Sequence, residues 1–482
     1  MIQITTDSQK NTYTAYNIGK AFYPEEEVKV DFAEDGCKPA DVYLMLRKET
    51  GRDLPWGMLT GVRPTKLSME KVLEGMEQEE FIQWFRENRF VSEEKAGLAY
   101  DVACREWQLI KNLISKVYSD VDLIKEDEKL LAKITDTYSL YVNIPFCPTI
   151  CTYCSFSSGA IADYVNIIDD YLDCVIKELD ATAKLCKEKK LLTIYIGGGT
   201  PTTLTAAQLE RLLGHIQKTF LTVLSDGVVK KADPQNDCSQ IEFTLEAGRP
   251  DTITKEKLEV AKKYGVTRIS INPQTMQDET LKLIGRKHEA GKIKEAMKLA
   301  RSCGFDNINM DLIMGLPQEG PAEAVDTLMK VATLKPDCLT VHSLSIKRTA
   351  EMAKQTTAAE TVEKMLKLGA ETAKAMGMEP YYLYRQKGIA GNFENTGYAT
   401  AGKECLYNIL IMEEIHSILA VGAGASTKLV LGKPIPNPNR GNHALTKILR
   451  CENVSNISEY IARIDEMIER KEKMYLIDNT KV

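Results

Sequence analysis

The chain has 482 residues, 27% charged and 44% hydrophobic, with a formal net charge of −6. That length points to two or three domains, and the acidic balance argues against a general nucleic-acid binder, which needs a basic surface for phosphates. No run approaches the roughly 18–20 apolar residues of a membrane span, and the start, Met1-Ile2-Gln3-Ile4, lacks the basic-then-apolar pattern of a secretory leader, so the expected compartment is the reducing cytoplasm.

Residues 1–135 read as an accessory α+β domain. They hold an alternating strand at Val28 to Phe32, a tight segment at 54–66 (LPWGMLTGVRPTK) and helical patterns thereafter. From 136 to 385 strands and helices alternate. Ser139 to Phe146 reads as a strand ending in a cysteine loop, followed by a helix over about Asp163 to Lys189. Thr193 to Ile196 leads into a glycine loop and a helix from about Ala206; Ile241 to Glu246 leads into a helix from about Thr254. Further strands are expected at Arg268 to Ile271, Asn307 to Ile313 and Cys338 to Ile346. The pattern predicts an α/β fold, a partial (β/α)6 TIM-like barrel of six units rather than eight. In such barrels the chemistry sits on loops at the strand carboxyl ends, where both the cysteine and the glycine loop fall. After Tyr384 glycine-rich loops dominate, including Gly422 to Ser426, before a helix near Ile457 to Lys471. Residues 386–482 are read as a C-terminal region covering the substrate.

Of the twelve cysteines, nine are scattered between Cys37 and Cys451 without a converging spacing, the pattern of small apolar core residues. Cys147, Cys151 and Cys154 differ, forming a C-x3-C-x2-C triad. Structural zinc competes for this triad, but it normally takes four ligands as two close pairs, and no second Cys or His pair lies nearby. A [4Fe-4S] cubane held by three thiolates leaves one iron open. S-adenosylmethionine (SAM) can chelate that iron through its amino and carboxylate groups and undergo one-electron cleavage to a 5'-deoxyadenosyl radical, while the protein positions the reactants. Tyr153 and Phe156 beside the thiolates would help to exclude water. Gly197, Gly198 and Gly199, with Thr200, Pro201 and Thr202, directly follow a strand. Residues without Cβ let backbone approach a ligand; alone the run is equally a tight βα turn, but one strand after the triad it becomes a candidate for the SAM amino group.

The triad in Ile144-Pro145-Phe146-Cys147, the Gly-Gly-Gly-Thr-Pro-Thr loop, Arg268-Ile269-Ser270 with Gln274, and Asp311-Leu312-Ile313 before Gly315-Leu316-Pro317 together resemble the oxygen-independent coproporphyrinogen III oxidase family of radical SAM enzymes. The segment Leu59 to Lys66 and Tyr384-Arg385-Gln386-Lys387 look most like its HemZ-type branch. The resemblance implies that Tyr141, Gly198, Gly199 and Thr200 meet SAM and that Glu246 binds it. It also implies that Arg286 pairs with the SAM carboxylate, as suits a forked guanidinium, and that Gln274 and Asp311 contribute, Asp311 at the adenosine. Helix caps and solvated charges are the ordinary alternatives for these residues.

The family reaction removes a hydrogen from a propionate β-carbon of coproporphyrinogen III, releases carbon dioxide and leaves a vinyl group; two propionates react, giving protoporphyrinogen IX. The implied partners are a tetrapyrrole substrate and an electron donor such as flavodoxin or ferredoxin. A four-propionate substrate calls for cations around an apolar cavity, for which Arg385, Lys387 and Lys403 are candidates, with Lys347 and Arg348 behind them. Two positions depart from the family's decarboxylases: Asn143 stands where they usually carry histidine, and Phe156 where they carry a further cysteine. The phenylalanine is shared with haem-trafficking chaperones of the superfamily, and other relatives methylate or open the haem ring. His342 and His416 are thinkable haem ligands, although a lone histidine on an apolar element is usually a hydrogen-bonded core residue.

Overall fold

A computed structural model describes every residue except 25, 62, 119–126, 155–157, 222–223, 226–227, 230–240, 346–356, 386–391, 438–444 and 480–482. Ser155, Phe156, Lys347, Arg348, Gln386 and Lys387 therefore lie outside the described residues. No helix among the described residues is long and apolar enough to cross a membrane.

In chain order six strand–helix repeats appear, as the periodicity predicts. Thr137–Ile144, Lys190–Gly198, Glu242–Glu246, Arg268–Ser270, Ile308–Met314 and Cys338–Ser343 are each followed by one or more helices. The fold is α/β. By compactness the chain divides into two units, and the division does not follow the expected boundaries after 135 and 385. One unit comprises 109–274, 284–311 and 405–482; the other comprises 1–108, 275–283 and 312–404.

The first unit is built on Thr137–Ile144, whose near-continuous burial is that of a strand covered on both faces. It pairs in parallel with Lys190–Gly198 on one side and with Ser417–Val421 on the other. Glu242–Glu246, Arg268–Ser270 and the start of Ile308–Met314 continue the parallel order. Ser426–Pro436 and Leu445–Glu452 add an antiparallel edge beyond Ser417–Val421. Ser417–Val421 explains why residues 405–482 are not a separate cover in the packing: five fully buried residues without alternation lie hidden in what reads as glycine-rich loop.

Local boundaries also shift. Pro145 ends the first strand at Ile144, and Phe146–Cys147 pairs separately with Gly159–Ala160. The second strand runs through Gly197 and Gly198, because these residues pair with Asn143 and Ile144. The expected helix from Asp163 begins with two 3-10 turns and becomes α-helical over Ile168–Leu185. Thr254 caps Lys255–Lys263 through a bond from Lys257 N–H.

In the second unit Ile2–Thr6 and Val28–Phe32 pair in parallel around helix Gln9–Phe22, burying Ala15, Ile18 and Phe22 against Val42, Tyr43 and Leu46. Trp56, from the tight 54–66 segment, donates to Glu394 at 2.8 Å, and Lys95 pairs with the same carboxylate at 2.7 Å. Residues 1–108 thus share a packed core with 312–404 rather than forming a unit of their own.

The C-terminal helix Ile464–Asn479 is fastened to the first unit by a buried ion pair. Lys471, 2% exposed, meets Glu178, 1% exposed, at 2.6 Å, and also donates to Ala420 O. The Glu178 carboxylate further accepts from Gly422 N–H, Asn453 and Tyr460. Removing one partner of such a pair leaves a buried charge uncompensated. Lys471→Met is expected to cost about 3 kcal/mol in chemical unfolding, and adding Glu178→Gln should restore much of that loss; a single-variant cost below about 1 kcal/mol would contradict the assignment.

Candidate functional site

The expected site residues of the cysteine and glycine loops come together in the first unit. Gly199 N–H donates to Ile144 O at 2.9 Å and Thr200 N–H to Phe146 O at 2.7 Å, fastening one loop to the other beyond the last paired strand residues. The Thr200 hydroxyl points at Cys147 Sγ, 3.6 Å away. Each glycine makes room for a different neighbour. A Cβ on Gly197 would stand 2.9 Å from the Glu246 carboxyl carbon, one on Gly198 would strike Asn143 Oδ1, and one on Gly199 would stand 2.6 Å from Phe146 O. Gly198 also has φ +109°, in the region that favours glycine.

The cysteine loop is pinned on its far side. Thr149 Oγ1 donates to Gly285 O at 3.0 Å, and Thr152 N–H to Ile284 O at 3.2 Å. Cys154 N–H closes a turn onto Cys151 O. Burial pushes the Cys147 thiol up, as do Cys154 and Cys151 nearby, while Thr200 and Arg249 pull it down. Among the described residues no three His, Cys, Asp or Glu side chains converge as ligands of one ion.

Beside the thiols lies a polar cradle. Glu246 accepts from Tyr195 OH at 2.5 Å and from Gly198 N–H, and burial pushes its carboxyl up to about 7 against those two bonds, with Asp311 adding to the rise. Tyr141, Tyr195 and Tyr407 stack, with centroids 6.1, 4.5 and 6.1 Å apart, and burial raises all three phenols. Gln274, at φ +67°, donates its backbone N–H to Asp311 O at 2.9 Å, so these two expected residues are joined directly. Arg286 Nη1 bonds Asn272 O at 2.6 Å, and its side chain also reaches Tyr153 and Cys151.

Ser270 Oγ, Asn272 Oδ1 and Gln274 Oε1 are buried with no hydrogen-bond partner among the described residues. A buried polar atom left unpaired costs about 1–3 kcal/mol, so a row of them on the segment that adjoins Glu246, Arg286 and Asp311 fits a polar ligand. Amide and hydroxyl groups suit a nucleoside, the guanidinium of Arg286 suits a carboxylate, and three thiols suit an iron-sulfur cubane. The donor set therefore fits a [4Fe-4S] cluster together with SAM.

Other expected residues have different surroundings. Arg385 belongs to the other unit, 3% exposed, where it donates to Leu59 O at 2.6 Å and to Asn392; burial lowers its pKa to about 10. It clamps the 54–66 segment with the donors a propionate would need. Lys403 is in that unit as well, its carbonyl accepting from Cys338 Sγ. His416 is a hydrogen-bonded core residue between Thr137 Oγ1 at 3.1 Å and Ser139 Oγ at 3.0 Å, and burial lowers its pKa to about 3. His342 lies 3.3 Å from Tyr384 OH. Burial raises the Glu242 pKa and Arg268 nearby opposes that rise; the Glu242 carboxylate caps helix Leu406–Glu413 through Leu406 and Tyr407 N–H, a structural role.

Sequence reasoning missed Tyr195, Tyr407 and Arg249. Tyr195 carried a signal, standing two residues before the glycine run on the strand. Tyr407 and Arg249 carried none, because only folding brings them to the loops.

Gly199→Ala is expected to destabilise the protein by about 1–3 kcal/mol, because a backbone carbonyl cannot swing aside, whereas Gly432→Ala, with nothing within 4 Å, should change little; equal thermal shifts would contradict the close approach. For Glu246 the unfolded chain ionises near 4.5 but the folded chain holds its proton to about 7. Stability therefore falls as pH rises through that window, by about 2 kcal/mol once partial exposure is allowed for. Glu246→Gln should remove that slope, and parallel pH profiles for the two proteins would contradict it.

The chain matches the radical SAM superfamily over residues 141–331. An oxygen-independent coproporphyrinogen-III oxidase-like protein, HemZ, of Bacillus subtilis is 38% identical over 419 residues, 85% of this chain and 77% of that protein. The heme chaperone HemW of Escherichia coli is 29% identical over 294 residues, 60% of this chain and 70% of that protein. The oxygen-independent coproporphyrinogen III oxidase of Escherichia coli is 31% identical over 205 residues, 42% of this chain and 41% of that protein. The solved structure of coproporphyrinogen III oxidase (HemN) from Escherichia coli aligns at a TM-score of 0.54 and 22% identity, covering 71% of this chain and 73% of that one, a likeness of fold. Radical SAM proteins use a [4Fe-4S] cluster and SAM. With the cysteine and glycine loops inside the matched region and a HemZ protein similar over most of both lengths, the chain belongs to the radical SAM superfamily, in the HemZ-type branch of the oxygen-independent coproporphyrinogen III oxidase family.

Proposed function

We propose that this chain is a radical SAM oxidoreductase of tetrapyrrole metabolism that oxidatively decarboxylates coproporphyrinogen III propionates to vinyl groups, giving protoporphyrinogen IX. The observation that carries the SAM chemistry is the junction of the two loops, which sets Thr200 against Cys147 and the glycine run against Glu246. The substrate rests on similarity to a coproporphyrinogen-III oxidase-like protein over 85% of this chain.

On this reading Cys147, Cys151 and Cys154 hold the cluster and leave one iron without a protein ligand. When bound, cluster and SAM supply the electron and the 5'-deoxyadenosyl group for hydrogen abstraction. Gly198, Gly199 and Thr200 line the methionine portion, where the missing side chains allow backbone approach. Arg286 pairs with the carboxylate through a fork that lysine lacks. Glu246 takes the amino group; burial holds its carboxyl neutral up to about 7, and an adjacent cation favours its ionised form. Gln274 and Asp311 face the adenosine, and Tyr141 and Tyr153 exclude water. An electron donor such as flavodoxin or ferredoxin completes the system. Arg385 and Lys403 are the candidates for propionate contacts, Arg385 by exchanging its bonds to Leu59 O and Asn392.

A second reading, a haem chaperone that keeps the cluster without decarboxylation, is favoured by similarity to HemW over 70% of that protein's length and by Phe156 in place of a further cysteine. One experiment separates the two: anaerobic incubation of cluster-reconstituted protein with SAM, reductant and coproporphyrinogen III, followed by mass analysis of nucleoside and porphyrin products. The expected result is 5'-deoxyadenosine whose formation depends on the porphyrinogen, with loss of carbon dioxide from two propionates. No stimulation by porphyrinogen would sink the decarboxylase reading, and stoichiometric haem binding alongside would support the chaperone. S-adenosylhomocysteine or a methylated tetrapyrrole would instead indicate methyl transfer.

A further inference from the structure

A buried cation outside the SAM-contact set reaches the cysteine loop from the turn after strand Glu242–Glu246. Arg249 is 3% exposed. Its Nε and Nη2 grip the two oxygens of Asp251 at 3.1 and 3.2 Å, which fixes the plane of the guanidinium. The remaining nitrogen, Nη1, projects into the middle of the Cys147 to Cys151 segment and meets Thr149 Oγ1 at 3.2 Å and Thr149 O at 3.4 Å. Thr149 Oγ1 passes the connection on to Gly285 O at 3.0 Å, one residue before Arg286. The loop between the first two thiols is thus clamped between two turns, with one guanidinium closing the clamp.

Charge placement gives the clamp a second consequence. Asp251, whose side chain is 29% exposed, lies on the outer side of Arg249, with His288 3.9 Å from it. The ion pair therefore presents its positive end to the cysteine loop, through the Nη1 that meets Thr149. The potential of an iron-sulfur cluster depends on nearby charge, on hydrogen bonds and on exposure. An inward-facing cation favours the state carrying the extra electron.

We propose that Arg249 is the positioning residue of the cluster loop: its fork holds Thr149, and so the spacing of Cys147 and Cys151, and its charge sets the cluster potential upward. The proposal rests on the cysteine triad holding the cluster, as above. Lysine at 249 keeps the charge but cannot grip Asp251 and Thr149 together, so the two contributions separate.

The test uses the full chain in two states. In the cluster-free protein, iodoacetamide alkylation of Cys147 and Cys151, followed by peptide mass analysis, should run at least fivefold faster in both Arg249→Met and Arg249→Lys. After reconstitution, EPR at fixed applied potential should show the reduced-to-oxidised ratio about tenfold lower in Arg249→Met, a midpoint lowered by about 59 mV for one electron. Arg249→Lys should stay within threefold of the wild type. Asp251→Asn, which keeps the arginine and removes its counter-charge, should move the ratio upward, and it carries the charge test should Arg249→Met fail to fold. Unchanged alkylation in the arginine variants overturns the clamp. Potentials that do not move, or that move in the same direction in Arg249→Met and Asp251→Asn, overturn the tuning. A wild-type chain that assembles no [4Fe-4S] spectrum would defeat the functional reading instead, leaving the alkylation result to decide the clamp.

Discussion

The structure depends on a backbone junction that exists because three consecutive residues have no side chain. Gly199 and Thr200 donate their N–H groups to Ile144 and Phe146 carbonyls, extending the pairing of two parallel strands past their ends and into the loops. A Cβ at any of the three glycines would meet Glu246, Asn143 or Phe146. The same approach that brings Thr200 to Cys147 also sets Glu246 and Asn143 around the glycines. Cluster loop and ligand cradle are therefore one construction rather than two neighbouring sites.

Buried charge in this unit follows a consistent rule: charged groups enter the interior already engaged. Glu178 has Lys471 and three further donors, and Glu242 has two helix N–H groups. Arg249 has Asp251 and Thr149. In the cradle Ser270, Asn272 and Gln274 keep unpaired polar atoms, as Thr182 and Thr244 do elsewhere in this unit, and Glu246 holds its proton up to about 7. Such incompletely satisfied groups are costly in an interior and are expected where a ligand completes them. Asn143 links the cradle to the C-terminal part of the chain: its side chain donates to Ala423 O and accepts from Tyr141. Its backbone carbonyl accepts from Tyr171, whose hydroxyl also takes Ala423 N–H. Asn143 is thus held in place by both its side chain and its backbone.

Much of this was legible in sequence because it rests on local chemistry. The triad, the glycine run and the βα alternation are short-range patterns, and the six repeats fall close to where the periodicity places them. Ser417–Val421 was hidden, since a fully buried parallel strand of five residues carries no alternation to betray it. That strand is also why the C-terminal region packs into the core unit. Arg385 shows what the sequence does not carry: a cation offered as a propionate ligand is also engaged with Leu59 O and Asn392, and no spacing signals that engagement. Gln274 and Asp311 show the gain from three dimensions, since residues far apart in the chain are joined by one backbone bond. Arg249 and Tyr407 reach the loops through long-range packing and had no periodic or spacing signal.

Membership of the radical SAM superfamily makes the open iron the central claim about this particular site. The most direct measurement is Mössbauer spectroscopy of anaerobically reconstituted, iron-57-labelled protein with and without SAM. The account predicts a [4Fe-4S] spectrum in which one iron changes on SAM addition while the other three do not. A cluster with four equivalent irons that ignores SAM, or iron bound as isolated ions, would contradict it.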